Sequence, residues 1–339
     1  MTTASPSPSA LWASPEWFDE IDAWVDDALT EHGVHRSGPL THIHQRPWSV
    51  VLSVASDAGT FFAKQNCPGQ NFEARLVDVL STLVPDHVLA PVAVDADRGF
   101  LLTADGGALL SSLGGRDVDT WCQVVAQWAE VQRTVAGDIR RLEAAGVTST
   151  PTLDIPSLVE ARAAALHSLR EDDPRRVDDA SHTALVATLP SLRRSAERLE
   201  AVGMPVTLNH NDLHEHNVFV PGSDGRLRFF DLGDAVLAHP MTVLLVPLNV
   251  LCRNLDVAPD DRRVRRVVDA YLEVWSDLVP SDVSRGVVPD ALRLGRFCRH
   301  ESWWRVLPAL DEAELAEYGD TAAYWLTSMA DPPARKTDR

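Results

Sequence analysis

The chain has 339 residues, of which 45% are hydrophobic and 24% are charged, and its formal net charge at pH 7 is -18. This length is about twice that of a typical single domain and is enough for two packed lobes. The strong acidity argues against nucleic-acid binding, which needs a basic face, and is compatible with a cationic small-molecule partner.

The first segment, residues 1 to 14, is rich in Ser and Pro and is predicted to be disordered. It lacks the basic start and apolar centre of a signal peptide. No stretch of the chain approaches the roughly 20 apolar residues that a membrane helix needs. The four cysteines are far apart and form no Cys-x-x-Cys pair, so neither a disulfide framework nor a zinc knuckle is indicated. We therefore expect a cytoplasmic protein with no membrane partner.

An amphipathic helix and a group of strands are predicted next. Residues Pro15–Glu31 carry apolar side chains at helical spacing. Two β-rich runs, 49 to 55 and 60 to 65, flank an Asp-Ala-Gly turn and predict a hairpin. A helix over 71 to 83 and further strands at 88 to 94 and 100 to 103 follow.

Lysine is scarce in this chain. Of its 31 basic residues only two are lysines, Lys64 in the hairpin and Lys336 in the polar terminal tail. Lysine at position 64, in a chain that otherwise uses arginine, indicates a need for a compact ammonium rather than a planar guanidinium. Glu73 opens the next helix, and a strand lysine paired with a helix glutamate is typical of nucleotide phosphate binding. The alternatives are a surface lysine and a carboxylate that complements the helix dipole.

The second half of the chain is predicted to be mainly helical. Helices are expected over Val118–Val135, 158 to 169 and 183 to 200. The chain after Asp234 again has a helical pattern and ends in a flexible polar tail, 331 to 339. With the strands of the first part, this gives an α+β chain.

The segment from Asn209 to Asp234 carries the strongest functional signal. It supplies Asp212, Asn217 five residues later, a predicted hairpin, and Asp231 where that hairpin closes. In the hairpin we expect Asn217 and Asp231 to lie opposite each other. Phosphoryl transfer needs a base for the acceptor hydroxyl and oxygen ligands for magnesium on the nucleotide phosphates. We therefore predict Asp212 as the catalytic base and Asn217 and Asp231 as magnesium ligands. The alternative is that such residues only cap turns.

These residues resemble the aminoglycoside phosphotransferase and choline kinase family of small-molecule kinases. The resemblance implies a two-lobed, protein-kinase-like fold, with a small lobe over residues 15–104, built on an antiparallel sheet, and a larger, mainly helical lobe over 105–330. It also implies ATP and Mg2+ as cofactors and transfer of the γ-phosphate to a hydroxyl of an aminoglycoside, amino sugar or amino alcohol. The motifs that carry it are His210-Asn211-Asp212, Asn217, Phe230-Asp231-Leu232-Gly233, and Lys64 with Glu73.

The same resemblance implies further roles. His210 would brace the catalytic loop beside Asp212. Thr103 and Asp105 would lie at the hinge, where backbone groups hydrogen-bond adenine and two glycines allow lobe movement. The turn expected over the phosphates, near residues 44 to 49, contains no glycine. Backbone amides there, with Ser49, would have to contact the phosphates.

Four residues are candidates for the acceptor site. Asp234, three residues after Asp231, could bind an acceptor amine or orient the loop. His214 is expected near the acceptor entrance. Glu301 and Trp304 combine a carboxylate with an aromatic face that could stack on a sugar or a quaternary amine. The alternative for the tryptophan is that it packs in the core.

Two other functions are left open by the sequence. The first is a metal-dependent hydrolase. On an extended strand its metal ligands would project from one face, and they would be His210, Asp212, His214 and His216. That function would leave Lys64 without a task. The second is a catalytically inactive, nucleotide-binding pseudokinase, which has no need to keep the complete set of acidic and amide residues.

Overall fold

The computed structural model describes residues 6–114 and 117–331. Residues 1–5 of the predicted disordered segment and 332–339 of the predicted tail lie outside the described residues. Helix α1 (Pro8–Trp12) falls within the segment expected to be disordered. Its Trp12 is buried and donates its indole N–H to Gln65 Oε1 at 2.7 Å. The prediction of disorder is wrong for this helix, because one tryptophan in a Ser- and Pro-rich stretch is enough to anchor it.

The small lobe consists of an antiparallel sheet with a helix on each side. Helix α2 (Pro15–Glu31) has the predicted bounds and begins after Ser14, whose side chain caps the first turn. The remaining elements of this lobe are β1 (Thr41–Arg46), β2 (Ser49–Ser56), β3 (Gly59–Asn66), α3 (Glu73–Leu83), β4 (Pro91–Asp95) and β5 (Phe100–Ala104). The strands form one sheet in the order β1-β2-β3-β5-β4.

The register of the sheet separates two faces. Val51 of β2 pairs with Lys64 of β3, and Leu52 pairs with Ala63. Successive side chains on a strand point to opposite faces. Leu52 and Ala63 belong to the core that packs against α2, so Lys64 lies on the other face. The alternation in sequence thus directs the lysine away from the α2 core.

The large lobe is mainly helical, and one two-stranded sheet lies at its centre. Strands β6 (Thr207–Asn209) and β7 (Val236–Ala238) pair antiparallel, although helix was expected after Asp234. The helices are α4 (Val118–Val135), with the predicted bounds, α5 (Ile139–Ala144), α6 (Ile155–His167), α7 (Asp179–Glu200), α8 (Leu245–Leu255), α9 (Arg262–Glu273), α10 (Ser281–Val306), α11 (Glu312–Tyr318) and α12 (Asp320–Thr327).

Helix α10 connects the two lobes. Its 26 residues span about 39 Å. Phe297 in its middle belongs to the large-lobe core, and Val306 at its end belongs to the core behind the small-lobe sheet. Trp303 packs edge-on against Trp48 of the β1–β2 turn, with ring centroids 5.2 Å apart. We propose the boundary between the lobes at residues 104 and 105, where β5 ends.

None of the helices formed by the described residues has both the length and the apolar character needed to cross a membrane. The four cysteines are free thiols, and three of them are buried. Burial raises the pKa of the Cys67 thiol to about 11 and that of Cys298 to about 12. These thiols are therefore neutral near pH 7 and act as small apolar side chains.

Candidate active site

The predicted catalytic loop begins where β6 ends, and its second residue has a left-handed conformation. Asn211 has φ 65°, which few residues other than glycine and asparagine adopt readily. Its N–H donates to Asn209 Oδ1 at 2.7 Å, and its Nδ2 lies 2.7 Å from Cys298 O and 2.6 Å from Ser302 Oγ. These bonds attach the loop to α10 and turn the chain before Asp212.

Asp212 is held between two cationic or polar groups. Its Oδ1 lies 3.3 Å from Arg299 Nη1, and its Oδ2 lies 3.4 Å from His214 Nε2. Desolvation raises the pKa of the Asp212 carboxyl, but the Arg299 charge and the His214 contact outweigh it, so the pKa lies well below its usual range. At neutral pH this group is a carboxylate that can accept a hydrogen bond from a hydroxyl.

The Asn217 side chain is hydrogen-bonded to the backbone of Asp212, five residues earlier in the chain. Its Nδ2 donates to the Asp212 backbone carbonyl at 2.9 Å, and the side chain is buried. This use of the amide nitrogen leaves the amide oxygen, Oδ1, as a hard ligand for a cation.

The hairpin between Asn217 and Asp231 differs from the prediction by one residue. The Phe219 N–H donates to Arg228 O at 3.0 Å, and the Phe230 N–H donates to Asn217 O at 3.1 Å. Asn217 therefore faces Phe230, and the predicted pairing with Asp231 is wrong. Asp231 has φ 60°, so the backbone turns out of the ladder at this residue.

Lys64 joins the small lobe to Asp231 in the large lobe. Its ammonium lies 2.6 Å from Glu73 Oε2 and 2.6 Å from Asp231 Oδ1. Desolvation lowers the pKa of Lys64, but Asp231 and Glu73 outweigh it, and the net pKa is raised. Desolvation raises the pKa of the Asp231 carboxyl, but the charge of Lys64 outweighs it, so the net pKa lies below the ordinary value. All three groups are thus in place as one charged cluster.

Glu73 also fixes the backbone that follows Asp231. Its Oε1 accepts the Leu232 N–H at 2.7 Å, and its Oε2 accepts from Asn66 Nδ2 at 2.5 Å. A Cβ at Gly233 would lie 3.1 Å from Asn66 Nδ2 and 3.4 Å from Glu73 Oε2. Glycine at this position therefore permits the close approach of the Asp231 turn to α3.

His210 lies beneath the loop and carries no exposed surface. Its Nε2 donates to the Phe230 carbonyl at 3.0 Å, and its ring meets Trp128 edge-on at 5.2 Å. Burial lowers the pKa of His210, so the imidazole is neutral at pH 7. The histidine connects the start of the catalytic loop to the residue before Asp231.

The amide oxygen of Asn217 and the carboxylate of Asp231 are donors of the kind that magnesium takes, since Asn217 uses its amide nitrogen for Asp212. Waters and nucleotide phosphates normally complete the coordination of such an ion. Within residues 6–114 and 117–331, no group of three or more His, Cys, Asp and Glu side chains could hold a metal ion. The extended strand needed for the hydrolase alternative does not form, because β6 ends at Asn209 and Asn211 turns the chain.

The residues predicted around the nucleotide lie on the small lobe and at its junction with the large lobe. Thr103 pairs with Phe62 across β5 and β3. Asp105 Oδ1 accepts the Gly107 N–H at 2.9 Å, which stabilises the turn after β5. Ser49 opens β2 two residues before Val51, the partner of Lys64, and so shares the face of the lysine.

The structure favours one of the two alternatives for Asp234. Its Oδ1 accepts from Gln70 Nε2 at 2.7 Å, and its Oδ2 accepts from Arg299 Nη1 at 2.7 Å. Both carboxylate oxygens are engaged within the protein, which favours the orienting role. Binding of an acceptor amine by Asp234 stays a prediction, because each oxygen keeps a further lone pair. His214, by contrast, contacts the Asp212 carboxylate directly.

Glu301 and Trp304 are engaged with another helix. Arg162 of α6 donates from Nε to Glu301 Oε1 at 3.2 Å, and its guanidinium carbon lies 4.1 Å from the centre of the Trp304 ring. Trp304 also packs against the large-lobe core. These contacts correspond to the packing alternative, and the structure does not bring either side chain to Asp212.

Sequence reasoning missed two residues of this site. Arg299 contacts Asp212, and Gln70 contacts Asp234. Arg299 belongs to a buried run of α10, between Cys298 and His300. A charged residue inside a buried stretch needs a partner, and that signal could have identified Arg299. No comparable local pattern marks Gln70.

Comparison with known protein families identifies one match. The family model described as "Phosphotransferase enzyme family" (APH) matches residues 49–278, more than half of the chain. That span contains Lys64, Glu73, Asp212, Asn217 and Asp231. No curated protein sequence matches the chain.

Solved structures with the same fold include several small-molecule kinases. A macrolide 2'-phosphotransferase type I superposes with a TM-score of 0.58 at 14% identity, covering 90% of this chain and 96% of that one. A Plasmodium vivax ethanolamine kinase has a TM-score of 0.56 at 13% identity, covering 86% of this chain and 81% of that one. A thermostable mutant of aminoglycoside phosphotransferase APH(4)-Ia, in a ternary complex with ADP and hygromycin B, has a TM-score of 0.54 at 14% identity. The match covers 94% of this chain and 100% of that one. At these identities the similarity establishes the two-lobed fold.

Proposed function

The chain belongs to the phosphotransferase enzyme family, and from this premise we propose that it transfers the γ-phosphate of ATP, with magnesium, to a hydroxyl of a small molecule. The observation that carries the proposal is the convergence of Lys64 with Asp231 at 2.6 Å, beside the hydrogen-bonded pair of Asp212 and Asn217. These groups come from separate elements of both lobes. A structural salt bridge alone would not require the neighbouring amide and the second aspartate.

Each group has a distinct task in this reaction. Asp212 orients the acceptor hydroxyl and accepts its proton late in a loose transition state, for which a carboxylate of low pKa is sufficient. Lys64, set by Glu73, neutralises non-bridging phosphate oxygens. Asn217 and Asp231 would hold magnesium, whose charge offsets that of the β- and γ-phosphates.

We propose an amine-bearing acceptor of the aminoglycoside, amino sugar or amino alcohol type. Two observations support this class. The similar structures include an ethanolamine kinase and an aminoglycoside phosphotransferase bound to hygromycin B. The net charge of -18 attracts a cation towards the protein. ADP in the second of those structures supports ATP as the phosphate donor.

The test is ADP release from ATP in the presence of a panel of amine-bearing alcohols. We expect acceptor-dependent turnover that disappears when magnesium is chelated. Asp212→Ala should lower kcat by on the order of 10² to 10⁴, the scale for removing a positioned general base. The ATP dissociation constant, measured by calorimetry, should change little.

Asp224→Ala is the matched control. Asp224 belongs to the same segment but lies in the hairpin turn, with its side chain 48% exposed, so its removal should leave turnover intact. Wild-type turnover in Asp212→Ala would reject the catalytic base. Binding of ATP by the wild type without any acceptor-dependent ADP would favour the inactive pseudokinase.

A further inference from the structure

Arg299 of α10 lies at the meeting point of the catalytic loop and a second carboxylate. Its side chain is 10% exposed. Its Nη1 lies 2.7 Å from Asp234 Oδ2, 3.3 Å from Asp212 Oδ1 and 3.0 Å from Asn211 O. One guanidinium nitrogen thus meets the carboxylate that we assign as the base, the backbone before it, and a neighbouring acid.

The second acid is fixed from the other lobe. Asp234 accepts from Gln70 Nε2 at 2.7 Å, and Gln70 is buried at 4% exposure. The backbone carbonyl of Gln70 accepts from Asn66 Nδ2 at 3.1 Å. The same Asn66 Nδ2 also donates to Glu73, the partner of Lys64. A continuous polar path therefore runs from the lysine cluster to Arg299.

We propose that Arg299 is a positioning residue for Asp212, and that Asp234, held by Gln70, fixes the Arg299 guanidinium. This inference rests on the proposed function. A charge buried to this degree is tolerated only when it is paired and hydrogen-bonded. Here Asp234 supplies the short bond of 2.7 Å, and Asp212 keeps the longer contact of 3.3 Å. The carboxylate of Asp212 is oriented while its remaining lone pairs are left for an acceptor hydroxyl.

A purely structural role predicts different behaviour. If Arg299 only anchored the loop through Asn211 O, its removal would disturb the site equally with or without the Asp212 carboxylate. If Arg299 aims that carboxylate, its effect on turnover requires the carboxylate to be present. A double-mutant cycle between Arg299 and Asp212 separates the two roles.

The experiment measures kcat by ADP release, and ATP affinity by calorimetry, for Arg299→Met in the wild-type and Asp212→Asn backgrounds. In the wild-type background we expect kcat to fall on the order of 10²-fold, the scale for misplacing a reactive group. ATP affinity should change little. In the Asp212→Asn background the same substitution should leave the residual kcat nearly unchanged.

Two further variants keep the test decisive. Arg299→Lys retains the charge but loses the planar guanidinium, so it should keep only part of kcat. It replaces Arg299→Met in the double-mutant cycle if Arg299→Met does not fold. Arg293→Met is the matched control. Arg293 lies on the same helix and donates to Met329 O and Ser191 Oγ, each at 3.0 Å, so its loss should lower stability without changing kcat.

Equal losses of kcat in both Asp212 backgrounds, or wild-type kcat in a folded Arg299→Met or Arg299→Lys protein, would overturn the inference. A wild-type protein that forms no ADP in the presence of magnesium and acceptors would reject the proposed function, and this inference with it. The two failures are distinct, because the second is seen before any substitution is made.

Discussion

Lys64 carries a full charge at a largely buried position because two carboxylates stabilise it. Glu73 and Asp231 each lie 2.6 Å from its ammonium. An ammonium has three donors on a flexible stem, whereas a guanidinium must satisfy a planar geometry. Lysine can therefore serve carboxylate oxygens and phosphate oxygens from the same position. Under the proposed function, this accounts for a lysine here in a chain whose other basic residues, apart from Lys336, are arginines.

Lys64→Met should lower kcat/KM for ATP by on the order of 10², the scale for removing one preorganised electrostatic donor. The reason is that non-bridging phosphate oxygens lose their counter-charge. Steady-state ADP release at varied ATP concentration measures the effect. Lys64→Arg should not restore activity, since the planar fork does not reproduce the point charge.

Lys336→Met is the control for this substitution, as it removes the other lysine of the chain. Its kinetic constants should equal those of the wild type. Wild-type kcat/KM for ATP in Lys64→Met would remove the lysine from the nucleotide site.

At the scale of elements, α10 is packed differently along its length. Near its start, Gly286 is exposed, and an added Cβ would meet no atom within 4 Å. Further along, Gly295 is buried, and its Cβ would lie 2.9 Å from Thr242 O and 3.4 Å from Leu245 Cβ. The same helix thus offers one free and one crowded position for the same substitution.

Gly286→Ala should raise the free energy of unfolding by up to about 1 kcal/mol, because alanine has the higher helix propensity. Gly295→Ala should lower it by about 1 to 3 kcal/mol, the range for overpacking a filled core. Urea unfolding of the two variants and the wild type measures both. A stabilised Gly295→Ala protein would show that the contact between α10 and the segment before α8 is not tightly packed.

At the scale of the whole molecule, buried histidines make stability depend on pH. Burial lowers the pKa of His239 to about 3 and that of His300 to about 4. In the unfolded chain the pKa of histidine is about 6.5. Between these values the unfolded state binds more protons than the folded state, so the free energy of unfolding falls as the pH falls.

We therefore expect the Tm to drop on acidification from pH 6.5 to 4.5. Each buried histidine should contribute a slope of about 1.4 kcal/mol per pH unit. His300→Gln should flatten the slope by one such contribution, measured by urea unfolding at several pH values. An unaltered slope in His300→Gln would contradict the assignment of a neutral, buried imidazole.

Local periodicity and spacing in the sequence predicted much of the fold. The bounds of α2 and α4 follow from apolar side chains at helical spacing and from capping residues, which act within a few positions. The β2–β3 hairpin follows from two β-rich runs around a short turn. The resemblance to small-molecule kinases could be recognised because its motifs are short and contiguous.

The sequence by itself determined helices α2 and α4, the β2–β3 hairpin and the family, because each depends on residues close together in the chain. The tertiary structure alone decided the register that places Asn217 opposite Phe230 and turns the backbone at Asp231. It also decided the pairing of Arg299 with Asp234, 65 positions apart. A left-handed backbone at a non-glycine residue is imposed by its surroundings. A contact between distant elements leaves no period in the sequence, so only the packed lobes of the fold bring such groups together.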